Sequence, residues 1–326
     1  MPLHIKHRVA HGAKSSCPSP DVSEMSERKT VLVTGAGSGI GRAVAHVLAL
    51  AGHCVYAGMR LTAEAGSTRA DEAKEVAERE RVDLHVVEMD VLSEASCRAA
   101  VDLILAERQR LDVVVNNAGM LMVGMTEGFT PEQLAQIFDT NAISWLRVNR
   151  AALPAMRRQG RGVLVYISST TAHIFEPFMG PYVASKAAGE ALAEVMGLEV
   201  SRFGIESVII VPGAFTSGTD HFAHAHAPAN ASVVAQYGDI SKIIENLGSR
   251  LEAIDAAHGG APDVSAVGEA VRRALDLPHG ERPGRIVVDP QHKGVDDLDA
   301  LYRVKQTAFF EQLGVADLMS IPHNKR

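Results

Sequence analysis

Seven short apolar runs, separated by helix-length stretches, restrict what this chain can fold into more than any other feature. They are VLVTG (31–35), HCVYAGM (53–59), LHVVEMD (84–90), LDVVVNNAG (111–119), GVLVYISS (162–169), ESVIIVPG (206–213) and GRIVVDP (284–290). Each reads as a strand, and the unbroken VLV of the first reads as a strand buried on both faces. Between them the patterns predict helices over Arg42–Ala51, over Thr68–Arg81 and from a cap at Ser93 to Arg110. Further helices are predicted from Pro131 past Trp145 to a stop or kink at Pro154, and from Pro181 to Phe203. Strands alternating with helices imply βαβ units with right-handed crossovers. The expected fold class is α/β, with a doubly wound, mostly parallel seven-stranded sheet and helices on both faces.

The organisation around that core is simple. Residues 1–28 are rich in His, Ser, Pro and charge and have no apolar periodicity. They read as a disordered extension without the apolar core of a secretory signal, and Met25 offers an alternative start. Residues 29–326 read as one domain. An Ala-, His-, Asn- and Gly-rich stretch from about 215 to 262 reads as an insertion over the substrate, with one helix over Val233–Ala257. The 326 residues are 46 % hydrophobic and 22 % charged, with a formal charge of −7 and no concentrated basic stripe. That argues against nucleic acid as the main partner. No apolar run approaches the roughly 18 residues of a membrane span. Cys17, Cys54 and Cys97 are few and far apart, which fits free thiols in a reducing cytoplasm.

The chemistry begins at TGAGSGIG (34–41), between the first strand and the first helix. A tight turn there needs residues without a Cβ, and Gly35, Gly37, Gly39 and Gly41 supply them. Exposed N–H groups at the following helix start can then hold a pyrophosphate. The spacing is not G-x-G-x-x-G, since Ile40 holds the place of its last glycine. A P-loop is excluded because no Lys-Ser/Thr follows.

T-G-x-x-x-G-x-G resembles the glycine turn of the classical short-chain dehydrogenase/reductase family. Further motifs follow in the same order: Asp90-Val91, NNAG (116–119), Asn141, ISS (167–169), YVASK (182–186), and Pro212-Gly213 with Thr216. The resemblance runs from about Thr30 to Thr216. It implies a Rossmann-type oxidoreductase that transfers hydride between a nicotinamide and a secondary alcohol or ketone, with Asn141, Ser169, Tyr182 and Lys186 catalytic. It also implies cofactor contacts from Gly35, Ser38, Gly39, Ile40 and Gly41, from Arg60, from Asp90 and Val91, and from Asn117, Ala118 and Gly119. Tyr182, Lys186, Pro212, Gly213 and Thr216 complete that set. No metal is implied. A homodimer or homotetramer is expected from the resemblance alone.

The residue types suit that reaction. Tyr182 and Lys186 are four apart and share a helix face. A phenol titrates near 10, and a nearby ammonium lowers that value, so the pair suits acid–base work on a carbonyl or alcohol oxygen. Ser169, thirteen residues earlier, has the family spacing for the serine that holds the substrate oxygen. Its neighbour Ser168 is rejected because successive strand residues face opposite ways. Asn141 resembles the residue that holds a water in the proton relay to the lysine.

Cofactor choice rests on the end of the second strand. No carboxylate stands there for a ribose 2′-OH; Met59 holds that place and Arg60 follows, which favours the 2′-phosphate of NADP(H). Ser38 dissents, because NADP-preferring relatives often carry a base within the glycine turn, and NAD(H) stays open. His221, His224 and His226 read as part of a mobile lid rather than a metal site, since only Asp220 offers a nearby carboxylate. The amphipathic tail 296–312 reads as core packing or a subunit contact, with Leu298, Leu301, Tyr302 and Val304 able to pack. The rival from another class is a catalytically silent NAD(P)-sensing protein, which has no need of Ser169, Tyr182 and Lys186 together. An isomerase or dehydratase of the extended branch would resemble a different turn, T-G-x-x-G-x-x-G.

Overall fold

The computed structural model describes residues 27–61, 65–219 and 222–322. The expected extension up to residue 26, with Cys17 and Met25, lies outside the described residues. The chain runs β1 (Thr30–Thr34), α1 (Gly39–Leu50), β2 (Cys54–Met59), α2 (Ala65–Glu80), β3 (Leu84–Glu88), α3 (Glu94–Arg108) and β4 (Val113–Asn116). Next come α4 (Pro131–Phe138), a π-turn (Asp139–Ile143), α5 (Ser144–Gln159), β5 (Gly162–Ile167), α6 (Gly180–Val200) and β6 (Ile205–Pro212). Last are α7 (Ala231–Gln236), α8 (Lys242–Glu245), α9 (Leu247–Ala257), α10 (Ser265–Asp276), β7 (Arg285–Val288) and α11 (Val295–Leu313).

The strands form one sheet in the order β3-β2-β1-β4-β5-β6-β7, and every pairing is parallel. The architecture is therefore the doubly wound one expected from the strand–helix alternation. Its core follows the two-residue period of a strand. Val31 and Val33 face the layer containing Val44 and Leu48 of α1 and Val267 and Val271 of α10. Leu32, between them, faces the opposite layer, with Ile104 of α3 and Trp145 and Met156 of α5. The chain steps outward from β1 to β3 and returns on the other side of β1 as β4. That reversal opens a crevice at the carboxyl ends of β1 and β4, where such sheets place ligands.

Several boundaries differ from the sequence expectation. Helix α1 starts at Gly39, three residues before Arg42, because Gly39 and Gly41 are drawn into its first turn behind Ser38. Strands β3, β4 and β5 stop at Glu88, Asn116 and Ile167, so that Asp90, Asn117–Gly119 and Ser169 leave the sheet for loops. Pro154 does not end its helix, which runs on to Gln159. Both Pro154 and Arg150, whose carbonyl loses its partner, are exposed to water, which satisfies the freed oxygen. The single helix expected over Val233–Ala257 is broken into α7, a short 3-10 turn at Gly238–Ile240, α8 and α9, with Gly238 in the left-handed region.

The tail forms α11, and core packing, one of the two expectations for its apolar face, fails. Leu298, Leu301, Tyr302, Val304 and Phe309 are all exposed. The face that docks is polar instead, through ion pairs of Asp299 with Arg285 and of Arg303 with Glu194. No helix among the described residues is long and apolar enough to cross a membrane.

Close approach makes Gly41 irreplaceable: a Cβ there would overlap the Gly35 carbonyl and the Asn117 side chain. Gly41→Ala should lower the urea stability by about 2 kcal/mol through overpacking. Gly248→Ala in α9, where nothing lies within reach, should hold or raise it by up to ~1 kcal/mol. Equal midpoints for the two variants would contradict this packing.

Candidate active site

The crevice is built first from the tips of β1 and β4. Thr34 Oγ1 donates to the Val115 carbonyl (3.3 Å) and accepts from the N–H groups of Asn117 and Ala118 (3.0 Å each). Asn117 Nδ2 donates to the carbonyls of Thr34 (2.9 Å) and Gly35 (3.3 Å). The expected cofactor residue Asn117 thus uses its side chain to pin the glycine turn. Gly35 has φ +65°, and a Cβ there would sit 2.9 Å from Ala118 Cα. Ser38 is the N-cap of α1 but gives no side-chain cap bond, and the first turn holds no acidic residue. The Ser38 side chain therefore leaves the first N–H groups of α1 uncapped, and the glycine turn carries no side chain over its backbone at Gly35, Gly37 and Gly39. Both features fit an anionic dinucleotide pyrophosphate.

The other expected contacts line the same rim. Asp90 follows β3; its Oδ1 accepts from Leu92 N–H (3.0 Å), and the adjacent Val91 is buried, with its carbonyl taken by Arg147 (2.7 Å). Arg60 is exposed just after β2. Pro212 closes β6, and Gly213 has no room for a Cβ against Asp289 and Gln291. Thr216 donates to Asp255 Oδ2 (2.8 Å), a buried carboxylate on α9, and Gln291 Nε2 donates to Asp255 Oδ1 (2.8 Å). Thr219, in the insertion, reaches over Gly39, with its Oγ1 3.0 Å from where a Cβ would stand.

The expected acid–base residues converge at the carboxyl end of β5. Ser169 accepts at its Oγ from Thr171 N–H (3.2 Å) and from Thr171 Oγ1–H (2.9 Å). Those two bonds fix the Ser169 hydroxyl beside the Tyr182 phenol, whose ionised form it favours. Ser168, the rejected neighbour, is buried, and its hydroxyl has no hydrogen-bond partner among the described residues. Tyr182 and Lys186 share the buried face of α6, as their spacing predicted. Lys186 Nζ donates to the Ile167 carbonyl (2.9 Å) and lies 5.8 Å from the Tyr182 ring centroid and 5.6 Å from that of Trp145. A Cβ on Gly119 would stand 3.8 Å from that ammonium.

Burial, and not the neighbouring charge, dominates both groups in the protein chain. It pushes the Tyr182 phenol up to about 12; the Ser169 hydrogen bond opposes this, and the Glu176 carboxylate adds to it. This differs from the expectation that a nearby ammonium lowers the phenol's value, because burial outweighs it. The lysine is itself desolvated and pushed down to about 8, with Glu190, one turn on, opposing the shift.

Asn141 sits in the π-turn and is fully buried. Its Oδ1 accepts from Met120 N–H (2.8 Å), and its Nδ2 donates to the Met120 carbonyl (2.9 Å) and Ser185 Oγ (3.0 Å). Its side chain anchors the segment after β4, and Ser185 ties it to the helix that carries Tyr182. Ser185 donates in turn to the Tyr182 carbonyl (2.8 Å). Sequence reading passed over Ser185 and Trp145, although both sit inside or beside quoted motifs.

Tyr182 is also packed among Leu121, Met122, Ile137 and Met179, with Ala225 of the insertion against them. The insertion is fastened to this wall: His226 N–H donates to the Leu121 carbonyl (2.9 Å), and Val123 N–H donates to the His226 carbonyl (3.1 Å). His224 and His226 are exposed, while Asp220 and His221 lie outside the described residues. Among the described residues, Cys54, Asp83 and His85 are the one set close enough to hold a metal. Arg28 and Arg108 both pair with Asp83, which disfavours a cation.

Residues 29–230 match the family model of short chain dehydrogenases. The chain is 35 % identical over 189 residues to 3-ketodihydrosphingosine reductase from Bacteroides thetaiotaomicron, covering 58 % of this chain and 64 % of the reductase. It is 34 % identical over 187 residues to retinol dehydrogenase 8 from Homo sapiens, covering 57 % of this chain and 58 % of that protein. Each match spans less than two thirds of the relative's own length. The structure of actinorhodin polyketide ketoreductase with NADPH superposes with a TM-score of 0.65 at 29 % identity, covering 80 % of this chain and 95 % of that one.

The desolvated lysine has a measurable consequence. Its folded-state value of about 8 lies below the ordinary 10.5. The folded protein therefore holds fewer protons than the unfolded chain between those values, and the penalty is present near neutral pH and fades as pH rises. Lys186→Met should raise urea stability by about 1–3 kcal/mol near pH 7, with the gain vanishing around pH 10. A destabilised variant at neutral pH would contradict the buried charge.

Proposed function

The chain belongs to the short-chain dehydrogenase family, and on that premise we propose that it is an NADP(H)-preferring oxidoreductase acting on an apolar secondary alcohol or ketone. The observation that carries this reading is the convergence of Ser169, fixed by Thr171, with the buried Tyr182 phenol and buried Lys186 against an apolar wall. A sensor would have no use for a serine hydroxyl fixed beside a desolvated phenol.

When bound, NADPH supplies the hydride. The residues of this chain handle the oxygen. Ser169 donates its hydroxyl hydrogen to the substrate oxygen in place of the phenol. Tyr182 carries a proton at neutral pH, because burial holds its value up, and delivers that proton to the oxygen as charge develops. Lys186 keeps a positive charge beside the phenol, and its bond to the Ile167 carbonyl fixes its position. Gly35, Ser38, Gly39, Ile40 and Gly41 cradle the pyrophosphate, while Asp90, Val91, Ala118, Gly119, Pro212, Gly213 and Thr216 line the rest of the cofactor. The apolar wall excludes water and favours a hydrocarbon body. That agrees with relatives named for a ketodihydrosphingosine and a retinol.

NADP(H) is preferred because Arg60 stands after β2 with no carboxylate in place of Met59. NADPH oxidation over a panel of long-chain and cyclic ketones and aldehydes tests the activity. Tyr182→Phe should lower kcat about 10²–10⁴-fold, with Ser169→Ala close behind, and equal turnover by Tyr182→Phe would remove the mechanism. Alcohol oxidation needs the phenolate, so its rate should climb with pH above neutrality, while reduction should stay flat until the phenol titrates.

A further inference from the structure

A 2′-phosphate is a dianion near neutral pH, and a single exposed guanidinium is a weak holder for it. The glycine turn adds no base, since Ser38 is neutral. Arg42, the base next along, is exposed and turned to Glu72 on α2 at 3.6 Å. Arg69 lies elsewhere in the sequence, nine residues beyond Arg60, yet α2 brings it back to the turn. Its Cδ stands 3.2 Å from the point where a Cβ on Gly37 would be, and Met59 Cβ and Sδ stand 3.6 and 3.7 Å from the same point. The stem of Arg69, the bare backbone of Gly37 and the side chain of Met59 therefore meet at one corner of the crevice. Arg60 leaves the chain at that corner. Arg60 and Arg69 are both exposed, and neither is ion-paired to a described carboxylate. The nearest acids on α2 are engaged elsewhere, Asp71 with Lys74 (3.1 Å) and Glu72 with Arg42.

Resting on the NADP(H) reading above, we propose that Arg69 is a specificity-determining residue, delivered across Gly37 to close on the 2′-phosphate opposite Arg60. Gly37 has a role in this beyond the turn itself. Its missing side chain is the space through which the Arg69 stem passes. Two planar guanidinium groups from different elements can each offer paired N–H donors to the phosphate oxygens. Ser38 then no longer argues against NADP(H), because the second base comes from α2.

Calorimetric binding of 2′,5′-ADP and 5′-AMP to the full chain tests this without turnover. The wild type should favour 2′,5′-ADP. Arg69→Gln should weaken 2′,5′-ADP about tenfold or more and leave 5′-AMP unchanged, as expected for loss of a charge-assisted hydrogen bond. Arg69→Lys should fall between the two, since it keeps the charge and loses the fork. Arg60→Gln with Arg69→Gln should abolish the preference. A wild-type preference that survives Arg69→Gln overturns the role of Arg69 and leaves the NADP(H) reading standing. A wild type that binds both nucleotides equally overturns that reading and Arg69's role with it.

Discussion

A lysine ammonium held out of water sets the terms for everything around it. Lys186 lies between the rings of Trp145 and Tyr182, with one N–H on the Ile167 carbonyl. A buried charge is tolerated only where its surroundings are fixed. Here the surroundings are fixed from several directions. β5 supplies the carbonyl, α5 the indole, α6 the lysine itself, and the π-turn brings Asn141 beside Gly119 and Ser185. Gly189 permits the approach of α6, since a Cβ there would stand 2.9 Å from Trp145 and 3.0 Å from the Asn141 carbonyl. Stability is given up at this point so that a charge can stand beside the phenol, a trade typical of functional sites.

The second constraint is the reversal of the sheet between β1 and β4. It separates the two strands' tips, and Thr34 and Asn117 lock the gap at a set width. The glycine turn and the segment after β4 are therefore one structure. Gly35 needs its freedom because Ala118 approaches it, and Gly41 because Gly35 and Asn117 approach it. The same crowding explains why the turn has its particular spacing and why α1 begins earlier than its apolar pattern suggests.

Much of this was legible in the sequence, for identifiable reasons. Short apolar runs and longer amphipathic stretches differ in period, so strands and helices separate cleanly, and alternate residues of β1 and β2 fall into opposite layers as the period requires. The failures lie where local pattern competes with water or packing. Pro154 survives inside α5 because that face is wet. The apolar stripe of α11 stays outside because Asp299 and Arg303 find Arg285 and Glu194 on the other side. The helix expected across the insertion breaks at Gly238, where helical φ is abandoned.

The sequence by itself determined the layered parallel fold and the glycine turn, and its family resemblance singled out Ser169, Tyr182 and Lys186 as candidates. These are local statements, written in periodicity and in short motifs along the chain. Tertiary structure alone decided which lone pairs and hydrogens remain available. It fixed Ser169 on Thr171, used the Asn117 and Asn141 side chains to hold backbone, and let burial outweigh charge at the phenol. It also brought Arg69 to Gly37. Desolvation and long-range approach depend on what packs across the crevice, and no spacing along the chain encodes that.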